Sequence, residues 1–93
     1  MLLKLKTPIK EIDGQDAKDL TVGKALSNMI LMVKSDPLRA YLMAQKLYAD
    51  EEIEVNKADF EWIKTAVIEH GREIYSNALV IGQLLVIFSE LKE

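Results

Sequence analysis

The sequence holds few of the side chains that carry out catalysis. It has no cysteine and a single histidine, His70, so it has no thiol nucleophile and no pair of imidazoles to share acid/base or metal-binding work. Ser76, His70 and Glu73 can be combined on paper into a nucleophile, a base and an orienting carboxylate. However, the G-x-S-x-G segment that exposes such a serine in hydrolases is missing. The residues therefore predict a protein that is not an enzyme, with His70 at a helix end or an interface.

Acidic and glycine-containing segments do not add a binding motif. The acidic stretch of residues 50–54 lacks the alternating oxygen ligands and central glycine of a calcium loop. Gly14 and Gly23 do not have the spacing of a phosphate-binding loop. We therefore predict no metal site, no cofactor and no catalytic residue.

Length and composition predict one small globular domain spanning residues 1–93. The chain is 49% hydrophobic and 29% charged, with four glycines and two prolines, which excludes disordered and collagen-like classes. The longest apolar segment, Ala78 to Phe88, is interrupted by Gly82 and Gln83. It falls well short of the ~20 residues that cross a bilayer. These features predict a soluble cytoplasmic protein with no membrane contact.

The net charge of −3 is unevenly distributed. Residues 1–46 carry eight Lys and Arg against five Asp and Glu, whereas residues 47–93 carry four against ten. The basic residues are scattered singly without interleaved aromatics, which argues against nucleic acid as a partner. The asymmetry is either a solvated mixed surface or a dipole that favours head-to-tail or antiparallel self-association.

The first twenty residues read as an extended arm or hairpin. Leu3 and Leu5 alternate with lysines, which is typical of a strand, and Asp13-Gly14 favours a tight turn. In residues 52–55, Ile53 and Val55 alternate with glutamates. This segment is either a solvated connector or an edge strand that pairs with the N-terminal arm.

Residues 21–93 predict a helical core of about four helices. The helix starts are Thr21, Asp36 followed by Pro37, Asn56 and Ser76, because each can accept a hydrogen bond from a free backbone N–H. Gly71 either ends the third helix or is tolerated inside it. The predicted fold class is mainly α (α+β): a short N-terminal β arm or hairpin followed by these helices, the last one strongly apolar.

The first two helices carry more apolar surface than one core face requires. On the second helix, Leu38, Tyr41, Leu42 and Tyr48 fall on one side, and the apolar face is widened by Ala40, Met43, Ala44 and Leu47. Methionines adapt well to varied partners. Met29, Met32 and Met43 therefore form either a partner surface or ordinary core.

The last helix is apolar around nearly its whole circumference, so it must be covered on all sides. It is either the central helix of a monomer or a contact with a second copy or another protein. Gly82, which weakens the helix, favours close approach of another helix. The predicted interface of a homodimer or higher homo-oligomer comprises Leu79, Ile81, Gly82, Leu85, Val86 and Phe88.

Several short segments carry a resemblance over most of the chain. They are Pro8-Ile9, Ile12-Asp13-Gly14, Leu20-Thr21-Val22-Gly23, Tyr41 to Tyr48, Glu52 to Val55, Ile63-Lys64 and Gly82-Gln83. In their order they resemble a group of small phage and prophage proteins of unknown function. Ser76-Asn77 stands where that group has threonine and proline, and Asn77 still suits a helix start.

The resemblance implies a non-enzymatic accessory protein that works through protein–protein contacts in the cytoplasm of an infected cell. We expect an assembly or scaffolding role, such as a tail-assembly chaperone or connector-type protein. The alternative is an inhibitor or regulator that binds a host protein of replication, transcription or defence.

Overall fold

The chain folds into short strands and four helices over the residues that the structure, a computed structural model, describes: 1–75 and 77–91. The strands are β1 (Leu2–Lys4), β2 (Pro8–Lys10), β3 (Asp16–Thr21) and β4 (Glu52–Glu54). The helices are α1 (Val22–Ile30), α2 (Pro37–Ala49), α3 (Lys57–Ile74) and α4 (Ala78–Glu90). The predicted class, a mainly helical α+β fold with N-terminal strands, is confirmed.

The strands form two separate antiparallel pairs. β1 pairs with β4, with Leu3 opposite Ile53, which confirms the edge-strand interpretation of this segment. β2 and β3 form a hairpin whose turn contains Gly14 at a φ of 89°, a conformation that glycine adopts at little cost. The two strands therefore bring the N-terminal arm back to the point where α1 begins.

Polar side chains begin the helices largely as predicted. Thr21, Asp36 and Asn56 accept hydrogen bonds from the backbone N–H groups three residues further on, at 3.2, 3.3 and 2.8 Å. The last helix begins one residue later than expected, because Asn77 is its N-cap and accepts from the N–H of Leu79 at 2.9 Å. Ser76, the predicted cap, lies outside the described residues.

Helices α1 and α2 meet through small side chains. Gly23 lies so close to α2 that an added Cβ would overlap the carbonyl oxygen of Leu47. Ser27, one turn later, is buried and donates its hydroxyl to the carbonyl of Ala44 at 3.1 Å. Ala40 is also buried. Because the residues at this contact are small, the two helix backbones approach closely.

The face of α2 that packs inward is therefore the smaller one. The buried side chains are Ala40, Ala44 and Leu47, with Met43 half-buried against the core. The larger apolar side chains are exposed: Leu38, Tyr41, Leu42 and Tyr48. The sequence pattern places these four on one side of α2, and the structure shows that this side faces solvent. The residues that were expected only to widen the apolar face pack inward, because close backbone approach in this pair requires small residues at the contact.

Helices α3 and α4 pack around a second glycine. Gly71 lies inside α3, and a Cβ added there would lie 2.8 Å from Ile81 Cγ1 and 3.5 Å from Met29 Cε. Further along α4, the rings of Phe60 and Phe88 meet edge to face with their centroids 5.4 Å apart. This contact closes the buried side of α4.

Two predicted surface residues belong to the core instead. Met29 is fully buried in α1, and Phe88 is only 4% exposed. Of the two alternatives for Met29, the structure shows ordinary core, and Phe88, which was expected at an oligomer interface, also lies in the core. Both side chains fill space between helices of one chain.

In the described part of the chain, no helix has the length and apolarity needed to span a membrane.

Candidate functional site

An open groove runs between α4 and the β2–β3 hairpin. Its volume is about 960 Å³, at the upper end of the range for ligand pockets. The apolar part of its lining consists of Pro8, Ile12, Ala78, Leu79, Gly82, Val86 and Ile87. Two of these side chains are largely exposed to solvent: Ile12 is 94% exposed and Val86 is 58% exposed. We call this feature the helix–hairpin groove.

Gln83 holds the two walls of the helix–hairpin groove together. The backbone N–H of Lys10 donates to Gln83 Oε1 at 2.8 Å, and Gln83 Nε2 donates back to the Lys10 carbonyl at 2.6 Å. The same amide nitrogen also donates to the carbonyl of Leu79 at 3.1 Å. One side chain thus satisfies both backbone groups of a β2 residue, as a neighbouring strand would.

The six predicted interface residues are divided between two sides of α4. Leu79, Gly82 and Val86 line the helix–hairpin groove together. Ile81 points toward Gly71 of α3, and Leu85 is half-buried against the core. The structure therefore brings together three of the six residues at an open surface, and Phe88, as described above, is in the core.

Gly82 has free space beside it. Among the described residues, and apart from its chain neighbours and the backbone of its own helix, a Cβ added at Gly82 would meet no heavy atom within 4 Å. Within the described chain, α4 approaches another helix closely at Gly71 of α3, so the close approach predicted at Gly82 would have to come from another molecule. No contact within the described chain compensates for the helix weakening that a glycine causes at position 82.

Sequence reasoning did not assign Gln83 or Ile12 to a site. Gln83 was visible as the one polar side chain within the apolar run of residues 78–88, and a lone amide in such a run signals a buried or bridging hydrogen bond. Ile12 precedes the Asp13-Gly14 turn, and nothing in the local pattern shows that it faces the last helix.

The charged groups around the helix–hairpin groove are of both signs. Lys10 pairs with Asp16 across the hairpin, and Glu11 and Glu90 also line the groove. This mixed lining does not create the one-sided positive field that suits a polyanion such as nucleic acid.

A second apolar surface lies on the α1–α2 side. Leu31, Tyr41 and Tyr48 are each more than half exposed and line a shallow groove of about 410 Å³ together with Ser27, Ala44, Gln45 and Ala49. Tyr41 accepts a hydrogen bond from Gln45 at 3.0 Å. We call this surface the tyrosine face. It exists because α2 packs inward through its alanines.

A third cleft of about 490 Å³ lies between the segment after α1 and the middle of α3. Met32 and Trp62 line it, and the guanidinium of Arg39 stacks 4.1 Å from the Trp62 ring centre while bonding to Asp59 at 2.8 Å. His70 Nδ1 lies 3.2 Å from Glu73 Oε2 at the same cleft. Met29, Met32 and Met43 thus lie in three different environments and do not form one surface.

Within residues 1–75 and 77–91, no three acidic or histidine side chains come together in a way that would hold a metal ion. No protein-family model, no curated protein and no solved structure shows significant similarity to the chain.

Proposed function

We propose that this protein is a non-enzymatic binding protein of phage origin that acts through protein–protein contacts, as an assembly or scaffolding accessory. The helix–hairpin groove is its principal contact surface. The single observation that carries the proposal is the open side of α4, where apolar side chains and the bare backbone of Gly82 face solvent.

Exposed apolar surface of this kind favours association. Ile12 and Val86 each leave most of their side chain in water, and burying such a side chain fully is worth about 1.5–3 kcal/mol. Contiguous apolar patches with a polar border are typical of protein interaction sites. The groove walls are braced by Gln83, so little ordering entropy opposes binding there.

The tyrosine face favours an assembly role over inhibition of a single target. It lies on α1 and α2 and shares no residue with the helix–hairpin groove. Tyrosines contribute strongly to binding energy at interfaces. A chain with two separate contact surfaces can join two partners, as a scaffolding protein must, whereas an inhibitor of one host protein needs one surface.

Site-specific photo-crosslinking tests the proposal. A benzophenone amino acid is placed in turn at Val86 in the helix–hairpin groove, at Tyr41 in the tyrosine face, and at Glu61, an exposed α3 residue outside both. The protein is produced in the infected cell and irradiated there. We expect discrete protein adducts from the first two positions and none from Glu61.

The masses of the adducts separate the two roles. Adducts of Tyr41 with virion or assembly proteins, together with Val86 adducts that contain such a protein or a second copy of this chain, support the assembly role. A single host protein captured at one surface favours the inhibitor role instead. Adducts that are equally abundant from all three positions, or from none of them, would overturn the proposal that these surfaces are contact sites.

A further inference from the structure

We propose that the occupant of the helix–hairpin groove is a second copy of this chain, bound so that the two α4 helices pack antiparallel about a two-fold axis. This inference rests on the proposed function, since it names the partner of the same surface. It is carried by the pattern of size and charge along α4.

The open side of α4 is graded in size. Ala78, Gly82, Val86 and Glu90 follow one another at intervals of four residues and all line the groove. Residues four apart lie on the same side of a helix, so these four form one stripe. The half nearest the N-terminus has the two smallest side chains, and the other half has larger ones that protrude.

When two α4 helices pack antiparallel, the size gradient of one helix is complementary in shape to that of the other. The small half of one helix then lies against the large half of the other. If Glu90 lies beside Ala78 of the second copy, four residues back along one helix and four forward along the other bring Val86 opposite Gly82. The exposed Val86 side chain fills the free space beside Gly82, and by symmetry the contact occurs twice.

The charges at the two ends of α4 fit the same arrangement. The first turn of α4 carries no acidic residue and its last turn, residues 87–90, carries no basic one. Glu90 therefore places a negative charge at the negative end of its own helix dipole, which is unfavourable. In the antiparallel pair, Glu90 lies near the positive N-terminal end of the second α4, where a carboxylate is stabilising.

Ile12 adds to the contact from the hairpin. It lines the same groove and is almost fully exposed, so a helix lying in the groove would cover it. An interface with this apolar residue, with Leu79, Gly82 and Val86, and with two Glu90 contacts has an apolar centre and a polar rim, which is the usual anatomy of a stable interface.

Light scattering across a dilution series tests the dimer. We expect wild-type protein to pass from dimer to monomer as it is diluted from high to low micromolar concentration. Gly82→Leu fills the space that Val86 of the second copy needs, and should weaken dimerisation by at least about tenfold, which corresponds to about 1.4 kcal/mol. Glu61→Gln, outside the groove, is the matched control and should have no effect.

Cysteine cross-linking tests the register. The chain has no cysteine of its own, so introduced thiols react only with each other. When Gly82→Cys and Val86→Cys chains are mixed and oxidised, we expect the mixed disulfide to form faster than either symmetric one. When Glu61→Cys and Val86→Cys chains are mixed instead, the mixed disulfide should form slowly.

The outcomes are separable from those of the photo-crosslinking experiment. A wild-type chain that stays monomeric at high micromolar concentration overturns the dimer, while adducts from Val86 with another protein would leave the proposed function standing. A dimer that Gly82→Leu does not weaken uses another surface and also overturns this inference. Equal cross-linking rates for all thiol pairs contradict the antiparallel register.

Discussion

Gly71 and Gly82 are both glycines in the interior of a helix, and their surroundings are opposite. At Gly71 a neighbouring helix fills the space, since an added Cβ would lie 2.8 Å from Ile81 Cγ1. At Gly82 an added Cβ would meet no described atom within 4 Å apart from its chain neighbours and the backbone of its own helix. The same residue type therefore allows α4 to pack closely on one side and leaves an open groove on the other.

This contrast explains why α4 is apolar nearly all round. Its closed side, with Ile81, Leu84 and Phe88, is covered by the chain itself. Its open side carries Leu79, Gly82 and Val86 in the helix–hairpin groove. The apolarity of a helix shows how much surface favours burial, but not which part of that surface its own chain buries.

The largest expected change in the free energy of unfolding comes from truncating a side chain on the closed side of α4, and the matching truncation on its open side should cost little. Phe88→Ala should lower the free energy of unfolding by about 3–5 kcal/mol, because it leaves a cavity against Phe60. Val86→Ala should change it by about 0.5 kcal/mol or less, because Val86 packs against little in its own chain. Urea denaturation of dilute protein measures both. Equal losses would mean that the groove side of α4 is as well packed as its core side.

A smaller change in the free energy of unfolding is expected from adding one methyl group at Gly71, where α4 packs closely. Gly71→Ala should lower the free energy of unfolding by about 1–2 kcal/mol, since overpacking costs about 1–3 kcal/mol and alanine's better helix propensity offsets part of it. The loss should shrink in an Ile81→Ala background, where the side chain that clashes is gone. An unchanged loss in that background would place the strain elsewhere than at Ile81.

The smallest change in the free energy of unfolding, and one of opposite sign, is expected from the same substitution at Gly82, beside the open groove. Gly82→Ala should raise the free energy of unfolding of the monomer by about 0.5–1 kcal/mol, because alanine loses less backbone entropy in a helix and meets no neighbour. Thermal or urea unfolding of dilute protein measures the gain. A destabilised monomer would contradict the free space beside Gly82.

Local chemistry predicted the elements of the fold well. The helix starts at Thr21, Asp36 and Asn56 and the Asp13-Gly14 turn agree with the structure. Of the two alternatives for residues 52–54, the structure shows the edge strand paired with the N-terminal arm. Each depends on hydrogen bonds or backbone angles within a few residues, or on alternation along a strand. Such signals are complete in the sequence.

The candidate site was predicted only in part. Leu79, Gly82 and Val86 were identified from the apolarity of the last helix, and they do lie together at an open groove. Ile12 and Gln83 were missed, because the contact between Gln83 and Lys10 joins residues far apart in the sequence. Local periodicity contains no information about which hairpin a helix will meet.

The sequence by itself determined where the first three helices begin, where the hairpin turns and which segments need burial. Tertiary structure alone decided which faces are buried. Met29 and Phe88 went into the core, and α2 turned its alanines inward and left Tyr41 and Tyr48 outside. The physical reason is that burial depends on how closely two backbones approach. That distance is set by pairs such as Gly23 with Leu47 and Gly71 with Ile81, which only the folded chain brings together.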